Sequence, residues 1–308
     1  MTGIKITGWG IAVPDKVVTN EDMALNLDTS DAWIVERTGI RERQIGGTTS
    51  GLAIEAGVKA LSRAGRTAAE IDNLVLATTT PDGIIPGTAP SVQHGIGMRG
   101  GAFALTAACS GFVYGLVTIA GLIAIGSGPV LLIGSETLSR VTDMDDRKIA
   151  IIVGDGAGAV VVEPVDGPGS LISWNMNSDG SLRHLLKCEH GGTLFMDGKE
   201  VFRRAVRVVV ESSERAMADA GLGPDDIKLM VPHQANLRII QAACQRLGIP
   251  EERTAVVIDR YGNTSSASIP LALYDSLQND RISDGDYLLM TGFGGGMTWA
   301  SAVFRWSV

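Results

Sequence analysis

The chain is written twice. The stretch ALSRAGRTAAEIDNLVLA, beginning at Ala60, is echoed by AMADAGLGPDDIKLMVPH, beginning at Ala216, an offset of 156 in a chain of 308 residues. Ala60, Ala64, Gly65, Ile71 and Val75 match Ala216, Ala220, Gly221, Ile227 and Val231. Each copy reads as a helix, a glycine stop, an acidic turn and a strand. AFALTAACSGFVYGL then aligns with VVIDRYGNTSSASIPLAL at an offset near 154, which sets Cys109 against Asn263. PVLLIGSE aligns with YLLMTGFG near 158, and the glycine-rich turns in GDGAGAVVVE and GGGMTWASAVFRW both lead into strands. Four matches in one order at a nearly constant offset indicate duplication, and the period is too long for a solenoid. Two similar α/β halves are expected, 1–165 and 166–308, with the seam in the turn EPVDGPGS. Strands alternating with helices imply sheets covered by helices on both faces.

Charge and cysteine usage narrow the function. Lys+Arg total 26 and Asp+Glu 34, for a formal charge of −8. Nucleic-acid or membrane-surface binding wants a basic face, so neither is expected. Cys109, Cys188 and Cys244 form no CxxC pair and read as thiols of a reducing compartment, which suits a cytoplasmic protein. Four histidines without paired spacing give no metal site. The opening MTGIKITGWGIAVP lacks the layout of a signal peptide. Residues 101–135 carry no charge. Thr106, Cys109, Ser110, Gly111 and the run Gly126-Ser127-Gly128-Pro129 interrupt that stretch. It therefore reads as a strand over 102–107, a buried helix over 110–125 and a strand over 129–134, not as a membrane span.

Three residues stand where chemistry collects. Cys109 lies between an apolar strand and an uncharged helix, where the helix dipole favours thiolate. His233 follows the strand IKLMVP, at the strand end where open α/β sheets gather ligands. Asn263 precedes a helical run in YGNTSSAS. A Cys, a His and an Asn meeting across the seam would serve acyl transfer. Gly294-Gly295-Gly296 lets a backbone N–H approach a ligand, so the amides of Cys109 and Gly295 are candidates for an oxyanion hole. The residues alone leave blander roles open: a small buried hydrophobe for Cys109, a core or capping histidine for His233, an N-cap for Asn263. GDGAGA at 154–159 precedes a strand, so it is no dinucleotide fingerprint.

The segments DTSDAWIVERTGIRER, AACSGF, GDGAGAVVVE, VPHQANLRII, GNTSSASIPLAL and GFGGGMTWAS occur in order between residues 28 and 301, within a likeness that runs from about residue 3 to residue 306. Together they closely resemble the β-ketoacyl-[acyl carrier protein] synthase III family. The resemblance implies the thiolase fold, two duplicated halves in a five-layered αβαβα sandwich, and a homodimer. It implies an acyltransferase that starts fatty acid synthesis with acetyl-CoA or a similar short acyl-CoA. Cys109 would take the acyl group, and His233 and Asn263 would hold the enolate formed when malonyl-[acyl carrier protein] loses CO₂. No cofactor is implied, because CoA thioester and phosphopantetheine carrier are substrates. Thr29, Trp33, Arg37, Arg147, Asn236 and Arg238 match CoA-binding positions, with adenine between Trp33 and Arg147. Arg203, Arg238 and Arg246 match positions that dock the acidic carrier. Ile85 stands where a bulky aromatic often limits the acyl pocket from across the dimer. The chain departs from the pattern at Lys148 and Ile149 and in a short 183–196 segment. A relative in secondary metabolism that passes the acyl group to a different acceptor is the alternative reading.

Overall fold

The computed structural model describes residues 2–307. The first sheet holds β1 (Thr2–Ala12), β2 (Asn73–Ala77), β3 (Gly101–Leu105), β4 (Val130–Thr137) and β5 (Asp155–Asp166) in the order β1-β5-β4-β2-β3. Its helices are α1 (Asp31–Thr38), α2 (Thr49–Ala64), α3 (Thr88–Ile96) and α4 (Gly111–Ala124). The second sheet holds β6 (Leu171–Ser178), β7 (Ile227–Pro232), β8 (Tyr287–Gly294) and β9 (Thr298–Arg305) in the order β7-β8-β9-β6. Its helices are α5 (Gly198–Ala220), α6 (Leu237–Leu247) and α7 (Ser268–Gln278).

The two sheets share one wiring. In the first, β4 pairs parallel with β2 and antiparallel with β5, which pairs with β1. In the second, β8 pairs parallel with β7 and antiparallel with β9, which pairs with β6. The counterpart of β3 shrinks to a parallel bridge between Met230 and Thr254. The matched helices α2 and α5 both end on a left-handed glycine, Gly65 at φ 64° and Gly221 at φ 69°, a conformation open to glycine at no steric cost.

Side-chain alternation sorts the layers. Along β4, Val130 and Leu132 belong to the central core, while Leu131 and Ile133 belong to the outer one, as the two-residue period of a strand requires. The outer core joins Leu131 and Ile133 to Leu52, Ala56 and Ala60 of α2 and Val92 of α3. The central core joins Phe112, Leu116 and Ile119 of α4 to Ile269 and Leu273 of α7, between Val160 of the first sheet and Met290 and Phe304 of the second. A third core packs Val206, Val209, Ile240 and Ala243 of α5 and α6 on Met230, Leu289 and Val303. The result is αβαβα, the expected five-layered thiolase fold. Because α4 lies between two sheets, Phe112, Val113, Leu116, Ile119 and Ile123 are buried, each contributing about 1.5–3 kcal/mol, while Thr118, Gly121 and Ala124 are exposed. Burial of α4 and β4 accounts for part of the uncharged stretch, and among the described residues no helix is long and apolar enough to cross a membrane.

One alignment is corrected by the backbone. Ala108 (φ 46°) and Ser265 (φ 48°) are non-glycine residues in the left-handed region, 157 residues apart. Each opens a three-residue 3₁₀ turn, Ala108–Ser110 and Ser265–Ala267, that runs into α4 and α7. The same offset relates Val130–Thr137 to Tyr287–Gly294. The structural counterpart of Cys109 is thus Ser266, not Asn263. Small residues fill both turns, so the letters alone align them three positions out of register.

Candidate active site

Cys109 sits in the 3₁₀ turn before α4 and is buried. The glycine-rich β8–β9 turn presses on it. A Cβ on Gly294 would lie 2.5 Å from the Cys109 nitrogen and 3.3 Å from its Cβ. Only glycine fits there, so the backbone of this turn faces the nucleophile directly. Gly294, not Gly295, makes that contact; Gly295 follows it, and its carbonyl accepts from Thr298 Oγ1 at 3.3 Å. The expected helix-dipole thiolate is not the resting state. Burial pushes the Cys109 thiol up to about 12, because desolvation penalises the charged form more than the dipole favours it.

His233 follows β7 directly and is 4% exposed. Burial lowers its pKa to about 3, so the imidazole is neutral. Its tautomer follows from one hydroxyl. Ser268 Oγ accepts from the Gln234 N–H at 3.3 Å and lies 2.7 Å from His233 Nδ1. Nδ1 is the one acceptor paired with the Ser268 hydroxyl among the described residues, and a proton donated to it leaves the hydrogen of the neutral ring on Nε2. Phe293 packs edge-on to the ring at 5.6 Å.

Asn263 is clamped across the seam. Its N–H donates to Ile152 O at 2.8 Å and its carbonyl accepts from Gly154 N–H at 2.9 Å. Its Oδ1 accepts from the Ser265 N–H at 2.9 Å, which assigns Nδ2 as the donor end of the side chain. His233 and Asn263 are therefore two uncharged donors. Neither is a base at neutral pH.

Cys109, His233, Asn263 and Gly294 line one cavity of about 510 Å³. Trp33, Arg37, Asn236 and Arg238 line it too, with the rim cations Lys148 and Lys199. Asn236 caps α6 and donates from Nδ2 to Arg37 O at 2.9 Å, which ties the two halves at the mouth. Thr29 lies outside the cavity lining, and its buried hydroxyl has no hydrogen-bond partner. Arg147 lies outside the lining but stacks on Trp33 at 4.8 Å, with Arg37 on the same ring at 4.3 Å. Two stacking contacts of about 3.5 Å each do not fit within 4.8 Å. The expected adenine slot is thus shut, and Arg147, which donates to Asp28, must swing out to open it.

Of the expected carrier-docking residues, only Arg238 lines the cavity. Arg203 pairs with Glu200 at 2.7 Å on the surface of α5, Arg246 is exposed on α6, and Arg238 stacks over Phe202 at 5.7 Å. Ile85 is 92% exposed and outside the cavity. The short 183–196 segment still builds a hairpin, Leu186–Lys187 against Phe195–Met196, and Leu186 and Met196 line the cavity. Sequence reasoning missed those two, together with Phe202, Phe293 and Lys199. Apolar letters at a strand end or helix start look like core until the second half closes over them. Among the described residues no cluster of His, Cys, Asp or Glu could hold a metal ion.

The duplicated sandwich, with one turn of each half meeting at a seam cavity, defines the thiolase-fold condensing enzymes. Two family models match, 3-oxoacyl-[acyl-carrier-protein] synthase III over residues 103–180 and its C-terminal region over 217–306. A β-ketoacyl-[acyl-carrier-protein] synthase III of Roseiflexus sp. (strain RS-1) is 49% identical, covering 98% of each chain. One of Geobacillus kaustophilus is 46% identical over 99% of each. The crystal structure of 3-oxoacyl-[acyl-carrier-protein] synthase III from Aquifex aeolicus VF5 matches with a TM-score of 0.96 at 41% identity, covering 99% of this chain and all of that one. The chain belongs to the 3-oxoacyl-[acyl-carrier-protein] synthase III family.

Proposed function

We propose that the seam cavity condenses an acyl-CoA primer with malonyl-[acyl carrier protein] and so initiates fatty acid synthesis. Cys109 attacks the acyl-CoA carbonyl, its S–H proton leaves with the CoA thiolate, and an acyl thioester remains. Malonyl-carrier then enters the same cavity and loses CO₂. His233 Nε2–H and Asn263 Nδ2–H hold the enolate oxygen while its carbon attacks the acyl carbonyl. The C–C bond forms, the S–C bond breaks, and the released Cys109 thiolate takes up a proton from solvent. The observation that carries this reading is the pair of neutral, pre-oriented donors beside a buried thiol. Decarboxylation creates the nucleophile, so the pair need only stabilise charge that develops in the transition state.

Trp33, Arg37, Arg147, Thr29, Asn236 and Arg238 would hold CoA, and Arg203, Arg238 and Arg246 would dock the acidic carrier. No resident cofactor is needed, and a reducing cytoplasm keeps the thiol free. A second copy would pair along β3. That edge strand is uncharged, leaves Phe103 39% exposed and lies in a half whose Ile84 and Ile85 are 74% and 92% exposed. Soluble proteins rarely leave such an edge bare. The test loads Cys109 with acyl-CoA and adds carboxyl-labelled malonyl-carrier. Label should leave as CO₂ with release of the acyl group, and His233→Ala and Asn263→Ala should slow that release about 10²–10³-fold while still acylating. Discharge without CO₂ would overturn the reading in favour of transfer to another acceptor.

A further inference from the structure

Arg43 is fully buried, and the reaction above does not use it. Among the described residues it is the only buried arginine or lysine. It stands on the short strand Glu42–Gln44, which pairs antiparallel with Val17–Thr19. Among the described residues no carboxylate pairs with it. Its Nη1 donates to Val18 O at 3.2 Å and its Nη2 to Ile151 O at 2.8 Å, while the buried Nε–H has no partner. Burial lowers its pKa to about 10, so the group is charged at neutral pH. A buried cation without a counter-charge is costly, and a well-packed apolar side chain of similar volume would avoid that cost.

What this side chain touches is the clamp on Asn263. The Asn263 N–H donates at 2.8 Å to Ile152 O, the carbonyl next to the one that Arg43 holds. The Asn263 carbonyl accepts from Gly154 N–H at 2.9 Å, and Val153, between the two, forms a parallel bridge with Asn263. The Arg43 stem packs against both sides of this clamp. A Cβ on Gly154 would lie 3.5 Å from Arg43 Cβ, and one on Gly262, the residue before Asn263, would lie 3.3 Å from it. A Cβ on Gly262 would also stand 2.9 Å from Ile152 O, so the two segments meet backbone to backbone. Arg43 thus joins residues 151–154 of the first half to residues 262–263 of the second.

We propose that Arg43 is a positioning residue for Asn263: by fixing the Ile151 carbonyl and packing against Gly154 and Gly262, it sets the place of the 151–154 segment that clamps the Asn263 backbone, and so aims the Asn263 amide. A planar guanidinium holds two carbonyls in one rigid geometry, which an ammonium on a flexible stem does not. The two donors serve only if they converge on one enolate oxygen, and a misplacement of about 1 Å in such a site can cost about 10²-fold in rate. His233 is held separately, through Ser268, so the effect of Arg43 falls on one donor of the pair.

The inference rests on the part given to Asn263 in the proposed reaction, and the two half-reactions are measured apart. Intact mass follows acyl loading of Cys109 from acyl-CoA, and label follows CO₂ release from carboxyl-labelled malonyl-carrier by the loaded enzyme. Arg43→Met keeps the reach of the side chain and removes its donors, with circular dichroism confirming the fold. Loading should keep its native rate, while CO₂ release should slow about tenfold to 10²-fold. In Arg43→Met combined with Asn263→Ala, release should be no slower than in Asn263→Ala alone, because Arg43 acts through that side chain. A merely structural role would slow both half-reactions together, leave both unchanged, or add its loss to that of Asn263→Ala; each of these overturns the proposal. Should Arg43→Met not fold, Arg43→Lys, which keeps the charge but not the planar fork, decides alone by the same comparison. Failure of the parent reading looks different: Asn263→Ala would then release CO₂ as fast as the native protein, or the native protein would release none, and the inference would fall with it.

Discussion

His233 is described above as a donor held neutral by burial, and that description has a thermodynamic signature. Its pKa falls from the ordinary histidine value of 6.5 to about 3. Between those values the unfolded chain binds a proton that the native chain refuses. Stability is then full above about pH 7 and falls as pH falls toward 3, because protons favour the state that binds them. At about pH 5 the unfolded imidazole is mostly charged and the native one is not, which costs about 2 kcal/mol. His233→Gln removes this cost while keeping an N–H near the position of Nε2. The assay is urea unfolding, followed by tryptophan fluorescence, of the native protein and the variant at pH 7.5 and pH 5. On going from the higher to the lower pH, the native protein should lose about 2 kcal/mol more than the variant. Equal losses would show that His233 is not held neutral. A larger loss in the variant would show it charged in the fold. Either result removes the donor role argued for it.

Other expectations concern the remaining parts of the site. Gly294→Ala puts a Cβ against the backbone of Cys109, so acylation should fall at least 10²-fold, the usual cost of disturbing an oxyanion site; unfolding curves separate this from global damage. Trp33→Ala should raise the KM for acyl-CoA about tenfold, the loss of one stacking contact of roughly 1 kcal/mol or more, and leave acyl-pantetheine unaffected, which a paired kinetic comparison reads directly. Ala104→Lys puts a charge on the bare β3 edge, and sedimentation should show a dimer of the native protein becoming a monomer.

The duplication was legible because helix stops and strand patterns are local: glycine at 65 and 221 ends a helix in both copies, whatever the partner. Cys109, His233 and Asn263 were legible because each stands at the end of a recognisable element, and the structure brings all three to one cavity. The register of the Cys109 and Asn263 turns was not legible, because it is set by two left-handed residues, Ala108 and Ser265, that no composition rule marks. The protonation of Cys109 was misjudged because the helix dipole is a local effect and burial is not. Arg43 escaped notice for the same reason: its acceptors lie at 18 and 151 and meet it only in the folded chain. The shut slot at Trp33 likewise depends on which rotamer two arginines take.

The central claim is that Cys109 takes an acyl group from CoA. Intact-protein mass spectrometry after mixing with a panel of acyl-CoA esters tests it most directly. The account predicts a gain of one acyl group, absent in Cys109→Ala, with the extent of labelling ranking the primers. No gain with any CoA ester, or an equal gain in Cys109→Ala, would contradict it.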